Sequence, residues 1–220
     1  MMLYLLFFVI FAACVGFLYT EGMWSNAIRL INVVTAALLA MNFFEPVAGW
    51  LYNLNDMFKT FTYFWDFIAL WGLFGALAVV LSLLTGLASR VKVKFLKLAD
   101  RIGSGFFAAW IGWVMVCFTA TTLHTAPLAR EFMGGAFVPE QRALGGALPA
   151  GDVLWLGFTQ RMSLGPFART DTEPGKKEDG VFDRQGDFML RYAARRQKLE
   201  SHAMETGALR VRPEQTAAHN

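Results

Sequence analysis

Gly103-Ser-Gly105-Phe-Phe-Ala108 spells the G-x-G-x-x-A turn that lets a dinucleotide pyrophosphate approach the backbone where a strand turns into a helix. That chemistry needs a strand before the turn and an acidic residue roughly 20 positions after it to hold the ribose. No strand pattern precedes Gly103, no such acid follows, and the motif opens an apolar helix instead. The same small residues have another use. Gly105 with Ala109, and Ala108 with Gly112, form small-xxx-small pairs that allow a second helix to approach closely, and Gly72 with Ala76 repeats the pattern. His124, His202 and His219 are scattered, Cys14 and Cys117 sit inside apolar runs as small buried hydrophobes, and H-E-x-x-H, C-x-x-C and G-x-S-x-G do not occur. Metal, redox and acyl-transfer sites are therefore not expected, nor is a cofactor or an enzymatic activity. His124 reads as an interfacial residue, with a proton relay as the sharper alternative.

Arg29 is the most informative single residue, because an ionisable group at membrane depth must either reach the headgroups or find a partner. Lying one to two turns inside its helix, it is expected to snorkel. The alternative turns it into the bundle interior, on a polar face shared with Asn32 one turn away. Asp66 begins a span on the opposite side and is not expected to pair with it. Asn42 is a further polar residue at membrane depth.

These residues need elements to position them, and the charge distribution says which. Residues 1 to 89 carry six charges (Glu21, Arg29, Glu45, Asp56, Lys59, Asp66), residues 90 to 101 carry six, residues 102 to 129 none, and residues 130 to 220 carry 25. Such segregation, in a chain that is 55% hydrophobic, excludes a soluble enzyme domain, a disordered chain and a disulfide scaffold. Residues 1–129 read as a membrane domain of helices and 130–220 as a water-facing tail. Lys and Arg in the tail (13) nearly match Asp and Glu (12), so no basic face for nucleic acid follows.

A helix needs roughly 20 apolar residues to cross the hydrocarbon core. Four stretches qualify: Met1 to Thr20, about Ala27 to Phe44, Phe67 to Ser89 and Ile102 to about Leu123. The first lacks the basic start and small-residue cleavage site of a signal peptide and is kept. The second is expected to stop at Glu45-Pro46, where proline disfavours helix. Between the third and fourth, Arg90, Lys92, Lys94, Lys97 and Arg101 crowd one short loop, against Lys59 alone in the 45 to 66 loop. The positive-inside rule then puts the basic loop in the cytoplasm and both termini outside.

In the tail, residues 130 to 150 read as a Gly/Ala linker with two prolines. Asp152 is expected to cap a helix at 153–162, either on the membrane surface or packed on the spans. Residues 170 to 187 read as polar loop, Asp187 as the cap of a helix from Phe188 to about Glu205, and 206 to 220 as disordered.

The layout resembles the colicin V production protein (CvpA) family. The likeness rests on a short apolar first helix, the Gly22-Met-Trp-Ser-Asn-Ala-Ile-Arg29 entry to a second helix rich in small residues, a long third helix, a basic loop, and Asp100-Arg101-Ile-Gly103 opening a fourth. It covers about residues 1 to 130. The resemblance implies an inner-membrane protein linked to toxin production or export and to envelope homeostasis, without a catalytic residue. Its expected partners are the lipid bilayer and either a second copy or another membrane protein, met through helix-helix contacts. The rival expectation is a small oligomeric channel or carrier, for which Asn32, Thr35, Asn42, Ser82 and Thr85 supply few polar groups.

Overall fold

The computed structural model describes residues 2–54, 64–88, 97–128, 150–168 and 180–205. Among these residues the chain folds into six helices: α1 (Met2–Leu18), α2 (Met23–Leu54), α3 (Trp65–Ala88), α4 (Lys97–Thr122), α5 (Ala150–Ser163) and α6 (Phe188–Glu205). Three of them, α2, α3 and α4, are long and apolar enough to cross a membrane. The 17-residue α1 is apolar but shorter. The basic residues Arg90, Lys92 and Lys94, the linker up to residue 149 and the last 15 residues lie outside the described residues.

Apolar residues run around every side of α1 and α3, the pattern of a helix with apolar surroundings on all faces. Packing then sorts them. Helix α2 lies against both α3 and α4, and α1 against α4. Half of the apolar window of α4 is buried, against 17% of that of α3, so α4 is central and α3 peripheral. The core between them is Ala36, Ala37, Ala40 and Phe44 of α2 against Leu70 and Phe74 of α3 and Phe118 of α4. Alanines on α2 bring the helix axes close, and the Phe74 and Phe118 rings, 4.6 Å apart, fill the space that remains.

Helix α1 runs antiparallel beside α4. The carbonyl of Leu18 accepts from Ser104, a Cβ on Gly112 would lie 2.9 Å from the Phe11 ring, and Phe7 packs with Val116 and Ala120. Gly112 is thus a position where only glycine admits the neighbouring helix.

Pro46 does not stop α2, which continues to Leu54 and corrects the expected end at Glu45-Pro46. The ring is exposed, pointing away from the bundle, so the cost is confined to the bond its missing N–H denies the Asn42 carbonyl. Unwinding the following turn in an apolar setting leaves more backbone groups unpaired than that, which favours helix.

The tail is docked. Trp155 and Leu156 of α5 are buried in the same core as Phe118, and Phe188 of α6 meets the Phe44 ring edge-on at 6.4 Å. Residues 180–187, expected as loop, form turns that place Phe182 in this core, and the carboxylate that receives the first N–H of α6 belongs to Asp183. Asp187 instead pairs with Arg191 at 3.0 Å.

Candidate functional site

Two polar clusters close the bundle at opposite ends. At the first end α1 turns into α2 through Gly22, whose φ of +91° favours glycine. The N–H of Met23, one of the orphan donors at the start of α2, is capped by Asp100 of α4 at 2.9 Å. Asn26, fully buried, donates through Nδ2 to the Leu18 carbonyl (2.7 Å) and to Ser104 Oγ (2.9 Å), and Ser104 donates to the Tyr19 carbonyl at 2.9 Å. The last carbonyls of α1, which have no helical partner, are thereby satisfied by side chains from α2 and α4. A Cβ on Gly103 would lie 2.2 Å from Met23 Sδ, so the glycine lets α2 start close against α4. The residues that carry the family resemblance, Gly22, Asn26, Asp100 and Gly103, therefore meet one another. Arg101 lies over the Tyr19 ring at 6.0 Å, and Lys97 is exposed in the first turn of α4.

Arg29 turns back toward this end and pairs with Glu21 at 3.1 Å, both side chains about two-fifths exposed. Asn32 does not share its surroundings: it is buried and donates to Thr85 Oγ1 of α3 at 2.8 Å. Asn42 is buried with neither side-chain atom hydrogen-bonded. Gly105 faces the Tyr19 ring, Gly112 faces Phe11, Ala108 is fully buried and Ala109 half-buried, so this stretch of α4 serves an internal contact. Gly72 and Ala76 are exposed, with open space where a Gly72 side chain would stand.

The second end gathers residues that sequence reasoning left apart. His124, just past α4, is 2% exposed. Its Nε2 lies 2.8 Å from Asp152 Oδ2 of α5, and its Nδ1 lies 3.4 Å from an Arg196 nitrogen of α6. A guanidinium only donates and a carboxylate only accepts, so the geometry fits an imidazole that gives Nε2–H to Asp152 and accepts from Arg196 at Nδ1. Arg196 is itself buried, and its Nε donates to the Tyr192 carbonyl one turn earlier. Tyr192 donates its hydroxyl to Asp66 at the start of α3 at 2.9 Å, and Arg195 pairs with the same carboxylate. Arg191 bonds Glu45, nine residues before the end of α2, at 3.2 Å. Burial, reinforced by the Asp66 charge, pushes the Tyr192 phenol far above its ordinary value, so it stays a donor. Burial raises the Asp183 carboxyl, the N–H of Phe188 and Arg191 acting the other way.

The geometry follows from helical spacing. Arg191 and Arg195, four residues apart, reach Glu45 and Asp66 from one side of α6, while Tyr192 and Arg196 address Asp66 and His124. Glu45 and Asp66, two rare acids of the apolar region, were the legible signal that a basic partner was required. A small open recess lies beside His124, lined by Ala126, Tyr192, Arg195, Arg196 and Leu199. Asp66 and Asp152 set two carboxylates against its two arginines, and the cluster is a clasp that fixes the tail to three helices at once.

Six helices and no strand among the described residues, three of the helices apolar and of membrane length, bound at both ends by buried polar contacts, define a membrane-embedded helical protein. The chain belongs to the family of the colicin V production protein, whose model matches residues 3–138. No curated protein and no solved structure matches it. The matched stretch takes in α1 to α4 and the first cluster; α5 and α6 lie beyond it.

Proposed function

We propose that the protein is a non-enzymatic inner-membrane protein of four spans that supports toxin production or export, or envelope homeostasis, through helix-helix contacts with a second copy or another membrane component. Family membership is the observation that carries this reading. At 1.5 Å per residue α1 is about 26 Å long, close to the ~30 Å hydrocarbon core, and it accompanies α4 from Ser104 to Ala120, which supports counting it as the fourth span. The exposed face of α3, with Gly72 and Ala76 among Val79, Val80 and Leu83, is the surface offered to a partner helix.

Gly72→Leu with Ala76→Leu is expected to leave membrane insertion and thermal stability unchanged while reducing crosslinked species in the membrane. Complementation of a deletion strain under envelope stress should fall with it. Arg29→Lys, which keeps a long stem and a positive head, should complement at matched abundance. Failure of the lysine variant alone favours the channel or carrier, where a planar fork meets a ligand.

Orientation is proposed from the basic loop: Arg90 to Arg101 in the cytoplasm, and the tail with both termini outside. The clusters agree with alternating spans, since Asp100 and Asp66 lie at opposite ends. In a background lacking Cys14 and Cys117, Gln185→Cys should react with a membrane-impermeant maleimide in intact cells and Lys94→Cys only after permeabilisation. The reverse pattern would invert the protein.

A further inference from the structure

Helix α5 is 14 residues long, about 21 Å, and cannot cross a bilayer. One side is buried through Asp152, Trp155, Leu156, Thr159 and Ser163. The other exposes Val153 (51%), Leu154 (61%) and Phe158 (36%), with Gly157 between them and Arg161 as its single charge, near the C-terminal end. At 100° per residue these five positions occupy an arc of about 140°. Leu164, just past the helix, adds another exposed apolar side chain. Helix α6, docked at the same end, exposes mainly polar side chains, Arg191, Gln197, Lys198 and Ser201, with Leu190 as its one exposed large apolar residue. Two neighbouring helices of one tail thus face different solvents.

The position of α5 says which solvent meets its apolar arc. A Cβ on Gly151 would lie 3.1 Å from Cys117 Sγ, Thr121 donates to the Asp152 carbonyl at 3.5 Å, and the Trp155 ring stands 6.3 Å from that of Phe118. Cys117 precedes the last residue of α4 by five positions, so α5 begins about 7–8 Å inside the end of that helix, within the depth of an interfacial helix. At this end of the bundle Trp50 of α2, Ile68 of α3 and Phe64 just before α3 are exposed as well.

We infer that α5 lies in the headgroup-acyl boundary of the leaflet on the tail side, its Val153, Leu154 and Phe158 against lipid. The inference rests on the proposed membrane reading and adds a second anchor for the tail beside the His124 clasp. Arg161 lies where its stem follows the apolar surface and its guanidinium rises to the lipid phosphates. The tail is therefore bound both to the spans and to the bilayer.

Spin labels test this in the full chain, with Cys14→Ser and Cys117→Ala, reconstituted in vesicles of phosphatidylethanolamine and phosphatidylglycerol. Leu154→Cys and Phe158→Cys are exposed positions, the second giving up a ring contact with Trp155. Power saturation there is expected to show collision with oxygen, which concentrates in acyl chains, several-fold above collision with a water-soluble nickel chelate, and Lys198→Cys should show the reverse. A label at Val80 on α3 reports the span itself. Lipid-like behaviour at Val80 with nickel dominating at Leu154 and Phe158 would overturn the interfacial helix and leave the spans standing. Exclusion of both reagents from those two positions would also overturn it, by showing a protein cover. Nickel dominating at Val80 would instead sink the membrane reading beneath it.

Discussion

Asp152→Ala should release the tail. The substitution removes the acceptor of the His124 proton and the counter-charge that accompanies Arg196, in a cluster where Asp152, His124 and Arg196 are each at most 4% exposed. Removing one partner from a buried charged network costs on the order of 3 kcal/mol, because the remaining groups keep their desolvation without their bonds. That energy shifts the docked-to-released equilibrium by about 100-fold. Limited proteolysis of the protein in liposomes, scored at the 180–187 turns between α5 and α6, should accelerate accordingly. Asp152→Asn keeps an acceptor for the imidazole but loses the charge, so an intermediate rate is expected. Combining Asp152→Ala with His124→Phe should cost less than the separate losses added together, since the second change removes a group already orphaned. Equal cleavage of Asp152→Ala and wild type would show that Trp155, Leu156 and Phe188 hold the tail without help.

The second large effect is expected at the other end. Asn26→Leu keeps the branching of the side chain and strips the amide that serves the Leu18 carbonyl and Ser104. Each buried group left without a partner costs about 1–3 kcal/mol, so the thermal transition in detergent should fall and the α1-α4 contact loosen first. Asn26→Asp should be worse although it is closer in shape: a carboxylate accepts only, and it would face the Leu18 and Ser104 carbonyl oxygens in a buried site. Asn53→Leu is the control, because Asn53 is exposed and bonds only its own helix, at Gly49. A wild-type transition for Asn26→Asp would remove Asn26 from any fold-securing role.

Asp100 and Asp152 show how far local reading reaches. Both are acids at the start of a helix, and an acid there is normally read as serving its own first turn. Asp100 instead caps α2, 77 positions earlier in the chain, and Asp152, whose Oδ1 accepts the Val153 N–H of its own first turn, also holds His124 through Oδ2, 28 positions away. Their residue types were informative and their partners were not. Pro46 is a similar case: the rule that proline ends a helix holds for the residue, while the exposed side on which its ring falls decides whether the helix goes on. Arg29 was expected either to snorkel or to face the bundle interior beside Asn32, and its ion pair with Glu21 belongs to neither expectation.

What the sequence by itself determined is the helical membrane architecture, the start of α6 at Phe188, and the family, through Gly22, Arg29 and Asp100-Arg101-Ile-Gly103. These follow from apolar run length, 3.6-residue periodicity and charge placement, which act between residues a few positions apart. Only the tertiary structure decided that the charged tail docks, that Arg191 and Arg195 answer Glu45 and Asp66, and that His124 is buried between an acid and an arginine. Those pairings span 28 to 146 positions. They depend on the depth and rotation at which each helix settles, and close packing around Gly112, Phe118 and Trp155 sets those quantities for the bundle as a whole.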